Sequence, residues 1–167
     1  INKYVAEVKK NMNLSISDEI IKKDLLLTLI LAEFEKENKA FSELIFKGGT
    51  LLARNYLNYH RFSEDLDFVY SQCKVLRSLS TNQREKQIKA FIDIFVPNLK
   101  KVSEELGLEF DVDRSKTKYC TILNKRAVYI FRLYYEGNNF IKIEINFVEK
   151  LLYEPVSFSV KAKPSYF

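Results

Sequence analysis

The sequence predicts a mixed α/β domain of the α+β kind, with helices packed on a largely antiparallel or mixed sheet. Three observations lead there. Apolar patterns run helix, strand, helix, strand, long helix and then several strands, without the strict strand–helix repeat of a doubly wound fold. Leu66-Asp67-Phe68-Val69-Tyr70 alternates polar and apolar residues, as a half-buried strand does. Val128 to Tyr135 and Phe140 to Phe147 are rich in β-branched and aromatic residues, and Glu136-Gly137-Asn138-Asn139 between them is a hairpin turn sequence.

In chain order, Asp18 is the expected cap of a helix reaching Lys39, with Ile20, Ile21, Leu25, Leu29, Leu31, Ala32 and Phe34 on a broad apolar face. Leu44-Ile45-Phe46 reads as a short buried strand that stops at Gly48. Thr50 to Leu57 follows as a short helix, with Leu51, Leu52 and Tyr56 toward the core. Asn82 to Leu106 is a long helix that Pro97 should kink or split, and Gly107 is a natural stop. Glu109 to Val112 is β-rich, and Val156 to Val160 is a candidate for a further strand.

The 167 residues suit a single domain, spanning 1–167, with 47% hydrophobic residues to supply a core. The chain begins at Ile1 and shows no helix stop near Phe167, which is expected of the N-terminal part of a longer protein. The longest apolar run, Leu25 to Ala32, is far short of the roughly 20 residues of a membrane span. Cys73 and Cys120 are too few for a disulfide scaffold or a zinc site and are expected to be buried or half-buried thiols. Lys and Arg number 27 against 22 Asp and Glu, and the net charge of +5 suits an anionic partner.

Two short stretches carry the chemistry. Gly48 and Gly49 lie between a strand ending at Lys47 and a helix opening near Thr50. Without side chains there, a phosphate can approach the backbone, and N–H groups at the helix start would point at it. Thr50, and Ser63 from the facing loop, could add hydroxyl donors, although a bare glycine pair also serves ordinary tight turns. Asp65 and Asp67 are two apart on a strand and therefore share a face, with Cα atoms roughly 6–7 Å apart. Such a pair repels itself unless a cation sits between, and Mg²⁺ prefers hard oxygen ligands that it shares with phosphates. A solvated acidic strand end is the alternative.

A third carboxylate is available. In Phe140-Ile141-Lys142-Ile143-Glu144-Ile145-Asn146-Phe147 the isoleucines take one face and Lys142, Glu144 and Asn146 the other. Glu144 is the candidate, against the reading of a half-exposed edge strand with a Lys–Glu surface pair. Arg132 could reach a triphosphate or pair with Glu144 across the hairpin. Arg54 and Arg61 flank the glycine pair, as phosphate contacts or as solvated charges. His60 is the only histidine and cannot make a zinc site alone.

Lys47-Gly48-Gly49-Thr50 through Arg61-Phe62-Ser63-Glu64-Asp65-Leu66-Asp67-Phe68 closely resembles the signature of the AbiEii/AbiGii toxin family, nucleotidyltransferase-like proteins of the DNA polymerase β superfamily. Lys23-Asp24-Leu25-Leu26-Leu27 through Glu33 resembles the family's N-terminal helix, and Ile141 to Asn146 its third-carboxylate strand. The resemblance covers roughly residues 18 to 150. It implies the nucleotidyltransferase core, a mixed sheet with helices on one face. It also implies that Asp65, Asp67 and Glu144 hold Mg²⁺ or Mn²⁺, with Lys142 or Arg132 as the basic residue ahead of the third carboxylate. Lys47, Gly48, Gly49, Thr50, Arg61 and Ser63 would bind an NTP substrate. The implied setting is a cytoplasmic toxin of a type IV toxin–antitoxin or abortive-infection phage-defence system, with tRNA or another RNA as acceptor. A cognate antitoxin would act indirectly, as a repressor. Nucleotide binding without catalysis, or nucleotidylation of a protein, are the alternatives on the same fold. The family usually continues into a C-terminal helical region that is not evident here.

Overall fold

Side-chain alternation decides how the sheet is covered. In a computed structural model that describes residues 2–12, 17–36, 41–56, 62 and 64–157, five strands form one mixed sheet. They are β1 (Leu44–Lys47), β2 (Asp65–Tyr70), β3 (Cys120–Leu123), β4 (Val128–Tyr135) and β5 (Asn139–Asn146), in the order β1-β2-β5-β4-β3. Only β2 and β5 run parallel; the other neighbouring pairs are antiparallel. Leu66 and Phe68 of β2, Tyr129, Phe131 and Leu133 of β4, and Ile141, Ile143 and Ile145 of β5 all point to one face and are buried.

Two helices close over that face. α5 (Thr81–Glu105) buries Ile88, Phe91, Ile92, Phe95, Val96, Leu99 and Val102, a continuous stripe at helical spacing. α2 (Asp18–Lys36) adds Leu26, Leu27, Ile30 and Phe34. Phe95 is at the centre, with ring centroids 5.7 Å from Phe91, 5.3 Å from Phe41 and 5.3 Å from Phe131. Burying one such side chain contributes about 1.5–3 kcal/mol. The opposite face of the sheet carries Lys47, Asp65, Asp67, Arg132, Tyr134, Lys142, Glu144 and Asn146, all half-buried. This polar face carries Asp65, Asp67 and Glu144 together.

The ends of α5 follow from its sequence. Ser80 and Gln83 form a reciprocal capping box at its start. At its end Gly107 takes φ +66°, and the N–H groups of Gly107 and Leu108 donate to the Glu104 and Ser103 carbonyls at 3.1 and 2.7 Å. This is the Schellman closure that a glycine allows. Pro97 does not split the helix as expected. The buried stripe passes through it in phase, and Pro97 and Asp93, whose carbonyl loses its N–H partner, are both on the exposed side.

Several other expectations are corrected. Ser17 rather than Asp18 caps α2, its hydroxyl accepting from the Ile20 N–H at 3.4 Å. The buried residues of α2 are Ile21, Asp24, Leu26, Leu27, Ile30 and Phe34, so Ile21 and Phe34 are as expected, while Ile20 and Ala32 are exposed and Leu25, Leu29 and Leu31 are half-buried. β1 is an edge strand and therefore half-buried rather than buried. Glu109 to Val112 makes a single bridge, to Tyr134. Beyond it the Asp111 and Asp113 carboxylates accept from the backbone at Asp113 and Ser115, which turns the chain. α1 (Asn2–Met12), α4 (Cys73–Ser78) and β3 were not expected. Both cysteines are buried and free, and burial pushes the Cys120 thiol up to about 11. Residues 156 and 157 form no strand; the rest of that segment and Lys39 lie outside the described residues.

The segment after β1 departs most from expectation. It begins as α3 (Gly48–Leu51) and continues as a π-helical turn over Leu52–Tyr56. The wider turn shifts the phase, so Leu52 and Tyr56 are 51% and 64% exposed, while Thr50, Ala53 and Arg54 are buried. Arg54 is therefore neither a phosphate contact nor a surface charge. Its guanidinium donates to the Asp24 carboxylate at 2.9 Å, the Asp24 carbonyl at 2.8 Å and the Thr28 hydroxyl at 2.7 Å, fixing this segment to α2.

Two stability tests follow. Phe95→Ala should cost about 3–5 kcal/mol in urea denaturation, whereas Ile94→Ala, at an exposed position one residue away, should cost less than about 1 kcal/mol. Arg54→Met should cost about 3–5 kcal/mol because it takes the guanidinium from a buried carboxylate, and adding Asp24→Asn should restore part of that loss.

Candidate active site

The parallel pair β2–β5 is the floor of the site. Its register sets Asp65 beside Lys142 and Asp67 beside Glu144. Adjacent strands are about 4.8 Å apart and the four side chains share the open face, so three carboxylates and one ammonium are neighbours. Lys142 Nζ is 2.9 Å from Asp65 Oδ2 and 3.7 Å from Glu144 Oε2. Burial alone would lower the Lys142 pKa. The hydrogen bond to Asp65 and the charges of Asp65, Asp67 and Glu144 outweigh it and hold the ammonium above its ordinary range. Asp67 shifts upward, first through burial and then through the charge of Asp65, with Glu144 adding to it and Lys142 and Lys47 opposing.

The glycine turn presses on this cluster. Gly48 takes φ +82°, and a Cβ there would overlap Asp67 Oδ2 and lie 3.1 Å from Asp67 Cβ. Glycine is thus needed twice, for the left-handed backbone and for the close approach of the carboxylate. Thr50 corrects an expectation. Its buried hydroxyl donates to the Asp65 carbonyl at 2.5 Å, so it braces the strand rather than facing a ligand. Lys47, the cross-strand neighbour of Asp67, reaches Glu149 at 2.5 Å. Glu149 escaped sequence reasoning because it follows the end of β5, where no alternation marks it.

Arg132 is on the same face but does not pair with Glu144. The hairpin register sets it opposite Lys142, with Ile130 opposite Glu144. Its guanidinium donates to the Thr121 hydroxyl at 2.8 Å. His60, Arg61 and Ser63 lie outside the described residues. A cleft of about 1170 Å³ opens beside the site between α2, β1 and residues 149–157, sharing Lys47 but none of the three carboxylates.

Among the described residues no three carboxylate, imidazole or thiolate groups close on one point as a metal cage would. The Lys142 ammonium stands between Asp65 and Glu144 instead. The donor set is oxygen only, a chemistry that would suit a hard divalent cation, and burial together with carboxylate crowding raises Asp67. That crowding has a measurable cost. A carboxylate raised by folding is a burden while ionised, and the burden lifts as pH falls through its folded pKa. Asp67→Asn should therefore raise the thermal midpoint in chelator-treated protein at pH 7, and the gain should shrink as pH falls through the raised Asp67 pKa.

No helix among the described residues is long and apolar enough to cross a membrane. The family described as Nucleotidyl transferase AbiEii toxin, Type IV TA system, matches residues 29–163. No curated protein and no solved structure matches the chain. The family match spans the glycine turn, both aspartates and the strand of Lys142 and Glu144, and the chain belongs to the AbiEii family of nucleotidyltransferase toxins of type IV toxin–antitoxin systems.

Proposed function

We propose that this chain moves a nucleoside monophosphate from an NTP to the end of an RNA, with tRNA as the acceptor, and that this reaction is its toxic activity. The observation that carries the reading is the β2–β5 register, which sets Glu144 beside Asp67 and Lys142 beside Asp65 next to the Gly48 turn. Mg²⁺ or Mn²⁺ held by Asp65, Asp67 and Glu144 would neutralise charge on the phosphates and act as a Lewis acid. The turn at Gly48 and Gly49 binds the triphosphate through bare backbone, with Lys47 as a nearby cation. Glu144 accepts the proton of the attacking hydroxyl. The acceptor oxygen bonds to the α-phosphorus as the bond to pyrophosphate breaks. In the resting protein Lys142 offsets the repulsion between Asp65 and Glu144.

The substrates place the reaction in the cytoplasm, and phage defence by self-intoxication is its setting. The cognate antitoxin acts indirectly, by repression. Incubation with labelled NTPs, Mg²⁺, total tRNA and a protein extract tests the reading. Label on tRNA is expected, and label on protein alone would move the acceptor to a protein side chain. Asp65→Ala and Asp67→Ala should each reduce labelling at least about a hundredfold with the fold retained by circular dichroism. Full activity in both would end the carboxylate mechanism.

A further inference from the structure

Beyond Lys142 the open face changes character from acidic to aromatic and cationic. Tyr134 of β4 and Phe140 of β5 are cross-strand partners with ring centroids 5.4 Å apart, and both are half-exposed on the polar face of the sheet. Cations ring them. The Arg132 guanidinium and Lys23 Nζ each lie 5.9 Å from the Phe140 centroid, and Lys118 Nζ lies 4.6 Å from that of Tyr134. Lys118 is compensated by Glu109 at 2.7 Å, and Lys23 has Glu64 at 3.9 Å. Arg132 differs: among the described residues it meets no carboxylate within salt-bridge distance, and donates only to the neutral oxygens of Thr121 and Thr117. A cross-strand aromatic pair by itself needs no cations. Half-exposed rings edged by an uncompensated guanidinium match the two parts of single-stranded nucleic acid, a base to stack and a phosphate to neutralise.

Position adds to this. Phe140 precedes Lys142 by one pleat repeat, about 7 Å along the strand, and Arg132 faces Lys142 directly. The glycine turn follows β1 at the other side of the carboxylates, about three strand spacings or 14 Å from β4. Arg132 is therefore placed away from a triphosphate held at the turn.

We propose that Phe140, Tyr134 and Arg132 seat the unpaired end of an acceptor RNA, stacking its bases and holding one phosphate, so that donor and acceptor reach the carboxylates from opposite edges of the same sheet face. The catalytic consequence rests on the transferase reading above; the binding does not. Duplex RNA keeps its bases stacked inside and should not use these rings.

Fluorescence anisotropy with a short labelled single-stranded RNA, the same strand as DNA and the same RNA as a duplex provides the test. Phe140→Leu and Tyr134→Leu should each weaken single-strand binding about tenfold, with Phe140→Tyr restoring it and duplex binding unchanged. Arg132→Gln, at a half-exposed position outside the core, should reduce the salt dependence of log Kd by about one phosphate contact. Equal loss with the DNA strand would extend the seat to either sugar. Single-strand affinity and salt slope equal to wild type in all three variants would overturn the proposal, and if RNA labelling persisted the transferase reading would stand without it. Weaker binding in the variants of a protein that labels no RNA would leave the seat in place and remove the reaction.

Discussion

Like charges crowded on one sheet face set the problem that the rest of the molecule solves. Asp65, Asp67 and Glu144 occupy adjacent positions on two neighbouring strands, and their mutual repulsion favours any register that separates them. A slip of one residue in β5 would separate them. It would also turn Lys142 and Glu144 into the core and expose Ile141, Ile143 and Ile145, which are fully buried under α2 and α5. Three buried isoleucines contribute several kcal/mol, more than a partly solvated carboxylate pair can cost. The aliphatic back of β5 therefore holds its charged front in place.

The turn is held by the same logic, from two directions. Thr50 ties the start of α3 to the backbone of Asp65, and Arg54 ties the following π-helical turn to Asp24 and Thr28 of α2. Just ahead of these anchors, Gly48 is pressed against Asp67 with no room for a Cβ. Neither Thr50 nor Arg54 is free to contact a ligand, yet both determine where the bare backbone lies relative to the carboxylates.

The parts of this arrangement governed by strand alternation were legible in the sequence. A period of two places Asp65 with Asp67 and Lys142 with Glu144, and the apolar residues between them identify the buried face without ambiguity. The mixed sheet, the hairpin at Gly137 and the stop at Gly107 were legible for similarly local reasons. What could not be read was the pairing of elements distant in sequence. Arg54 resembled a surface charge because its partner is thirty residues away, and the Lys47–Glu149 pair was not legible because Glu149 lies beyond the last regular strand. The exposed Leu52 and Tyr56 were misassigned because a π-helical turn breaks the period of 3.6 that the reading assumed. Pro97 does not divide the helix because its cost falls on one exposed carbonyl while buried side chains on both sides of it hold α5 to the core.

Lys142 connects the resting structure to the proposed chemistry. Because strand side chains alternate, a Lys–x–Glu sequence on β5 places the cation and the anion on the same face, and the strand brings its own counter-charge to the acidic cluster. One ammonium among three carboxylates leaves the cluster negative, and the charge of Asp65 adds to burial in raising Asp67. A monovalent cation entering there would only exchange one unit charge for another and gain little over the lysine already present. A divalent cation, as proposed above, would add the missing charge, and Asp65, Asp67 and Glu144 are the residues that would hold it. Lys142 thus supplies the counter-charge that lets Asp65 and Glu144 stand side by side on the open face.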